Sequence, residues 1–299
     1  MSKNNTFIKT SESSLSLRLD FIIALVPALI WSFVRFGTDA LITVLLSVAT
    51  AAATDVLLYF FKNLKFRVPS LYSIYCGMIF GAMLYAQTHI LLTILGSVLC
   101  ILLIYIMGGE GKCFLFAPVV ARFLIFCLLP YRINKPDKLP LDVLFNGELP
   151  KDTVYDLVLG MSQNIVGAVS ALAMIFAIIY LWIRKACDFK SSFAYIACSF
   201  ALSFAFPAFQ GRGVESAIFE LLAGEILFAA AFILTDFSSS PKSVSLKFIQ
   251  GAVCALITFA LRQIGYATDS VFLAVLCTNI ISHIVSEVIY VIREVKNEK

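Results

Sequence analysis

The residues of this chain best placed to do chemistry are ionisable side chains set inside long apolar stretches: Asp55, Arg122, Glu220, Glu225, Asp236, Arg262, His283 and Glu287. At the centre of a bilayer each costs about 3 kcal/mol unless it is paired or faces water, so such groups mark ion and proton paths or else interhelical pairs. Both readings stay open here, with Arg122, Glu225, Asp236, His283 and Glu287 as the candidates for an ion path. Glu225 lies in the run Leu221, Leu222, Ala223, Gly224, Glu225, Ile226 and Leu227, which puts it in the middle of a span. His283 and Glu287 are four apart and share a helix face, a spacing suited to a relay or to a local pair.

The elements that must position these groups are transmembrane helices. A helix rises about 1.5 Å per residue and needs roughly 20 apolar residues to cross a hydrocarbon core about 30 Å thick. Ten segments qualify, near 19–36, 38–62, 69–87, 89–107, 114–130, 162–183, 191–207, 217–235, 246–264 and 271–292. Pro69, Pro130, Pro207 and Pro241 mark ends. A backbone in lipid must satisfy its own hydrogen bonds, and the runs lack the alternation of a barrel strand. The composition agrees: 60% hydrophobic and 14% charged residues, with a mean hydropathy of +0.92, could not be hidden inside a soluble core of this size.

Lysine and arginine fall on alternate sides of the expected spans. With a cytoplasmic N-terminus, the inner side takes residues such as Lys62, Lys65, Arg67, Arg184, Lys185 and Lys190, while the short outer loops hold only Arg35 and Arg212. Both termini are therefore expected in the cytoplasm. The polar, Ser-rich start has no small-residue cleavage pattern, so the first span reads as an uncleaved anchor.

Soluble-type active-site signatures are missing: there is no G-x-G-x-x-G, Walker loop, H-E-x-x-H or G-x-S-x-G. His89 and His283 are the only imidazoles, and the eight cysteines form no C-x-x-C pair, so no metal site and no disulfide framework is expected. Two stretches differ from simple connections. Met107-Gly108-Gly109-Glu110-Gly111-Lys112-Cys113 is glycine-rich, and Leu234-Thr235-Asp236-Phe237-Ser238-Ser239-Ser240-Pro241 is a polar tract closing the eighth span. Irregular backbone at this depth either lines a cavity or binds a cofactor, or is simply a helix stop.

At these residues the chain resembles a known family. Phe232 to Pro241, reading FILTDFSSSP, is similar to the F-x-A-T-D-x-x-T-S-P signature of the D subunit of the Rnf electron-transport complex, a relative of the B subunit of the sodium-pumping NADH:quinone oxidoreductase. Leu157 to Gly160, then Gly167 and Ser170 to Ala173, resemble the family's L-F-L-G-x-x-x-G-x-x-G-E-T-S-A-L-A stretch. Gly96-Ser97, Gly108, Gly109, Gly111 and Arg122 resemble its G-G-L-G-x-N-x-F-N-P region. The resemblance implies an all-α polytopic membrane protein of about ten transmembrane helices, a urea-transporter-like bundle of two halves, in the bacterial inner membrane. Its divisions would be a tail (1–18), a five-helix half (19–130), an external loop (131–161), a second half (162–292) and a tail (293–299).

The implied role is a subunit, without a catalytic residue of its own, of a complex coupling electron flow between ferredoxin and NAD to sodium or proton movement. Implied partners are other membrane subunits, a flavin-carrying subunit and lipid, with no nucleic acid. FMN or riboflavin is the implied cofactor, and Gly108, Gly109, Gly111, Thr235, Asp236 and Ser240 are the motif positions that could touch it.

The departures matter too. In the family an S-G-A-T-P-L sequence on the outer loop carries FMN on its threonine, and the equivalent run here is Pro136 to Leu141, with Leu139 at the acceptor position. Leucine has no hydroxyl to esterify, and Thr153, the only threonine of that loop, lacks the neighbouring glycine and alanine. The family's glutamate after Gly167 is Ala168, and its two asparagines are Cys113 and Phe116. Covalent FMN at the usual site is therefore not expected. An alternative reading is a stand-alone channel or transporter for a small solute on the same fold.

Overall fold

The structure, a computed structural model, describes residues 14–109, 113–129, 136, 139–145, 150, 152–206, 213–223, 225–236, 239–241, 243–267 and 269–297. Among them there is no strand. The helices are α1 (Ser14–Phe36), α2 (Thr38–Asn63), α3 (Leu71–Ala82), α4 (Ile90–Ile106), α5 (Ala117–Leu128), α6 (Pro140–Phe145), α7 (Val154–Leu159), α8 (Ala171–Ile183), α9 (Lys190–Ala205), α10 (Gly213–Ala223), α11 (Ile226–Phe228), α12 (Val244–Gln263) and α13 (Ser270–Asn297).

Within α1, α2, α12 and α13 the apolar segments Leu15–Phe36, Thr38–Asn63, Val244–Gln263 and Ser270–Val288 are long enough to cross a membrane, and the chain is a multi-pass membrane protein. A fifth crossing is available if α10 and the segment from Ile226 to Ile233 act as one bent span. The remaining apolar helices are shorter. Both α3 and α5 have 12 residues, about 18 Å, and α4 has 17, about 26 Å. The expected spans 69–87, 114–130 and 162–183 each join such a helix to backbone that is not α-helical, around residues 83–89, 113–116 and 161–170. Hydropathy counts both kinds of residue alike, which is why the sequence reads longer helices than form.

Local chemistry sets several ends. Ser70 caps α3 by accepting from the Ser73 N–H, Ser170 caps α8 by accepting from Ala173, and Thr153 with Asp156 forms a capping box on α7. The α7 helix then stops at Gly160, whose φ of 76° an L side chain would resist and whose α-carbon lies against the Trp31 indole.

In lipid no hydrophobic force drives helices together, so close approach and hydrogen bonding do the work. A Cβ on Gly77 would stand 2.7 Å from the Ala51 Cβ, which shows how tightly α3 lies on α2. Ser47 donates to the Gly77 carbonyl at 2.6 Å, and Ser97 of α4 donates to Ser47 at 3.0 Å. At the far side α12 packs along α9, with Gln250 receiving a bond from Ser191 at 3.2 Å.

Candidate functional site

The eighth expected span is broken. Its two parts, Val214–Ala223 and Ile226–Ile233, meet at an angle of 62°, and Glu225 stands at the break, not in a continuous helix. Beyond it, Ala229–Ile233 is wound as a π-helix with every residue buried. Such local widening is frequent at functional sites. Asn164, from the irregular segment after α7, donates to the Ala223 carbonyl at 3.2 Å and so occupies an acceptor that the end of α10 leaves free. Gly167 lets that segment pass beside the break, since a Cβ there would lie 2.5 Å from the Phe228 ring and 2.9 Å from Ala82. Val166 donates to the Leu84 carbonyl at 2.9 Å, tying the segment to the backbone that follows α3. Three pieces outside the α-helices therefore converge where α-helical periodicity fails.

Two ion pairs lie near Glu225. In one, Arg122 of α5 pairs with Asp269, just before α13, at 3.0 Å, and its guanidinium lies over the rings of Phe272 at 4.2 Å and Phe126 at 4.7 Å. In the other, Arg262 of α12 faces Glu220 of α10 at 3.6 Å. Arg122, Asp269 and Arg262 are the charges whose fields reach Glu225. Glu220 is well supplied, because Ser203 donates to one carboxylate oxygen at 2.8 Å and Ser216 to the other at 3.2 Å. Glu225 is not: it is 1% exposed and its Oε2 has no partner. Arg122 Nη1 and Arg262 Nη2 are likewise buried without acceptors. The free Glu225 oxygen is an acceptor that a transient cation or proton could use, while the two free guanidinium nitrogens are donors only.

A cavity also lies toward the end of the bundle that carries Arg35. Its volume is about 220 Å³, and its walls include Arg35, Asp39, Pro136, Gln163 and Asn164. Tyr85 lines it, with a buried hydroxyl that lacks a partner and a ring 5.7 Å from the Arg122 guanidinium.

The sequence candidates divide accordingly. Arg122 and Glu225 come together, joined by Glu220 and Arg262. Asp236 lies at the other end of the π segment, where Thr235 donates back to Ala231 at 2.7 Å and Ser240 to Leu234 at 3.0 Å. Gly108 and Gly109, at φ values of 102° and 90°, end α4 as a helix stop, and Gly111 lies outside the described residues. Cys113, whose thiol reaches the Gly109 carbonyl at 3.4 Å, is within electrostatic range of Asp236, so the two motif regions are neighbours. His283 stacks on Phe114 at 4.7 Å and, with Glu287, lies on the exposed face of α13 away from the charge cluster. Asp269 and Tyr85 were not legible as site residues, since one lies in a connection and the other carries no distinguishing spacing.

A family model described as the NQR2, RnfD, RnfE family matches residues 1–292. The chain belongs to this family. Among its relatives, the D subunit of the Na(+)-translocating ferredoxin:NAD(+) oxidoreductase complex of Acetobacterium woodii is 25% identical, over 97% of this chain and 95% of that protein. The D subunit of the proton-translocating ferredoxin:NAD(+) oxidoreductase complex of Clostridium ljungdahlii is 19% identical, over 94% and 91%. Measured against those relatives, the chain is a divergent family member. On the external-loop segment, Leu139 is 2% exposed and packs into the main core, and the Thr153 hydroxyl is held by Asp156 at 2.7 Å.

Proposed function

We propose that this chain is the D-type membrane subunit of an Rnf-type complex in a bacterial inner membrane, with both termini cytoplasmic, and that it contributes a station for the ion moved when electrons pass between ferredoxin and NAD. One observation carries the reading: the unpartnered Oε2 of the buried Glu225 carboxylate at a broken helix, near the pairs Arg122–Asp269 and Arg262–Glu220. A carboxylate kept in place but unsatisfied can accept a sodium ion or a proton and release it again, whereas a fully bonded one would hold its partners. The relatives' two names differ in the ion, and the site chemistry serves either. Other Rnf-type membrane subunits and a flavin-carrying subunit would be the partners.

The redox step is assigned to those partners, because Leu139, at the position matching the family's acceptor, has no hydroxyl to esterify. Mass spectrometry of peptides spanning residues 131–157 is expected to show no FMN adduct; an adduct would overturn this part. The principal test is Glu225→Gln in the assembled complex. Ferredoxin-driven ion uptake into vesicles should fall at least about tenfold while the subunits still co-purify. Unchanged uptake would remove Glu225 from the path, and solute uptake by the lone chain in liposomes would favour the stand-alone transporter instead.

A further inference from the structure

The loop joining α8 to α9 combines a strained lysine with an apolar groove. The α8 helix ends in a Schellman turn: Ala186 donates to the Leu181 carbonyl at 3.1 Å and Lys185 to Trp182 at 3.0 Å. Lys185 occupies the left-handed position of this turn, with φ of 52°, where glycine is the favoured residue. Its side chain is exposed, and no ion pair or hydrogen bond of that side chain is found among the described residues. Nearby, Asp188 is shared by Lys190 at 3.4 Å and Lys247 at 2.9 Å. With Arg184 neutralised by Asp20 at 3.1 Å, three lysines against one aspartate leave positive charge in excess.

Directly beside these lysines lies a groove of about 710 Å³, lined by Ile178, Ile179, Trp182, Phe193, Ile196 and Phe248. Trp182 and Phe193 are 68% and 70% exposed, so the groove opens sideways to where lipid chains lie. Its volume is within the range of about 300–1,000 Å³ common for ligand sites. An occupant must be apolar along the groove and anionic at the lysine end. We propose that this groove binds one anionic phospholipid of the inner leaflet, its acyl chains along Ile179, Phe193 and Ile196 and its phosphate on Lys185 and Lys190. Charge complementarity selects this occupant: a basic recess between α8, α9 and α12, at the end carrying Arg184, Lys185, Lys190 and Lys247, matches an acidic headgroup, and Trp182 is suited to the depth of the interface. The strain at Lys185 is consistent with a side chain kept for its charge and not for its fit to the turn.

Native mass spectrometry of the purified, delipidated full chain, titrated with phosphatidylglycerol, phosphatidylethanolamine or inorganic phosphate, tests it. Phosphatidylglycerol should be retained about tenfold better than phosphatidylethanolamine, and millimolar inorganic phosphate should not displace it. Lys185→Gly should weaken that retention roughly fivefold without loss of thermal stability, because glycine suits the turn better, and adding Lys190→Gln should weaken it roughly fivefold more. Equal retention of the two lipids, displacement by phosphate, or full retention in the double variant would overturn the proposal. So would a photocrosslinker at position 193 that, in the native complex, captures a partner's transmembrane helix instead of lipid.

Discussion

Asp55 and Glu225 are both carboxylates buried among apolar helices, yet their surroundings are opposite. Asp55, on α2, accepts from the Ser70 N–H at 2.7 Å with one oxygen and from the Tyr105 hydroxyl at 2.9 Å with the other. It fixes the start of α3 and ties α2 to α4, so its charge is used up in holding the fold. Glu225 has an oxygen with no partner and stands where a helix breaks, amid two arginines that each keep a free buried nitrogen. The contrast separates a structural acid from one available to a ligand, and it rests on satisfaction, not on burial, since they are 4% and 1% exposed. Glu220, five residues before Glu225, is a control within the same bent segment, bonded by Ser203, Ser216 and Arg262.

That contrast can be broken by experiment. Arg262→Met should have the largest effect on stability, about 3–5 kcal/mol, because it leaves the Glu220 charge buried with only two hydroxyls. Chemical denaturation in detergent micelles would measure it, and a change below about 1 kcal/mol would mean that Glu220 is not held as described. Asp55→Asn should cost about 1–3 kcal/mol by the same measurement, since an amide cannot accept both bonds, while ion transport per folded complex stays unchanged. Loss of transport in Asp55→Asn at full assembly would erase the distinction between the two acids.

The smallest effect belongs to the loop after α8. Partial burial pushes the Asp188 carboxyl up, but its bonds to Lys247 and Lys190 outweigh this and hold it below the ordinary aspartate range. A depressed carboxyl stabilises the fold above its unfolded value and loses that contribution as pH falls through its folded value. With the side chain 36% exposed, the gain is less than about 1 kcal/mol. Between about pH 6 and 3 the Lys247→Gln variant should therefore lose slightly less stability than the unsubstituted chain, and an equal loss would show the pair to be inert.

Family membership was legible in the linear order of residues, because Thr235, Asp236 and Pro241, Gly160, Gly167 and Ser170 keep their spacing whatever the helices do. So was lipid as the solvent, since apolar content follows from side-chain type alone. Arg122 and Glu225 were legible as candidates for the same reason: a charge inside an apolar run is costly wherever it folds. Helix length was not, because the backbone after α3 and residues 165–169 before α8 carry apolar side chains without being α-helical, and hydropathy is blind to that difference. The Thr-Asp pairs near Asp55 and Asp236 illustrate the middle ground. Both threonines bond back four residues, Thr54 to Thr50 and Thr235 to Ala231, each at 2.7 Å, which is local chemistry readable from either stretch.

What the sequence determined by itself is the medium, the family and the cost of each buried charge, all properties of residue type and near spacing. Only the tertiary structure decided which charges meet. Arg122 finds Asp269 across 147 positions and Arg262 finds Glu220 across 42, while His283 and Glu287, neighbours on one helix turn, join neither. Pairing depends on distance in space, and in a bundle whose helices break and bend, that distance is fixed by packing and not by separation along the chain.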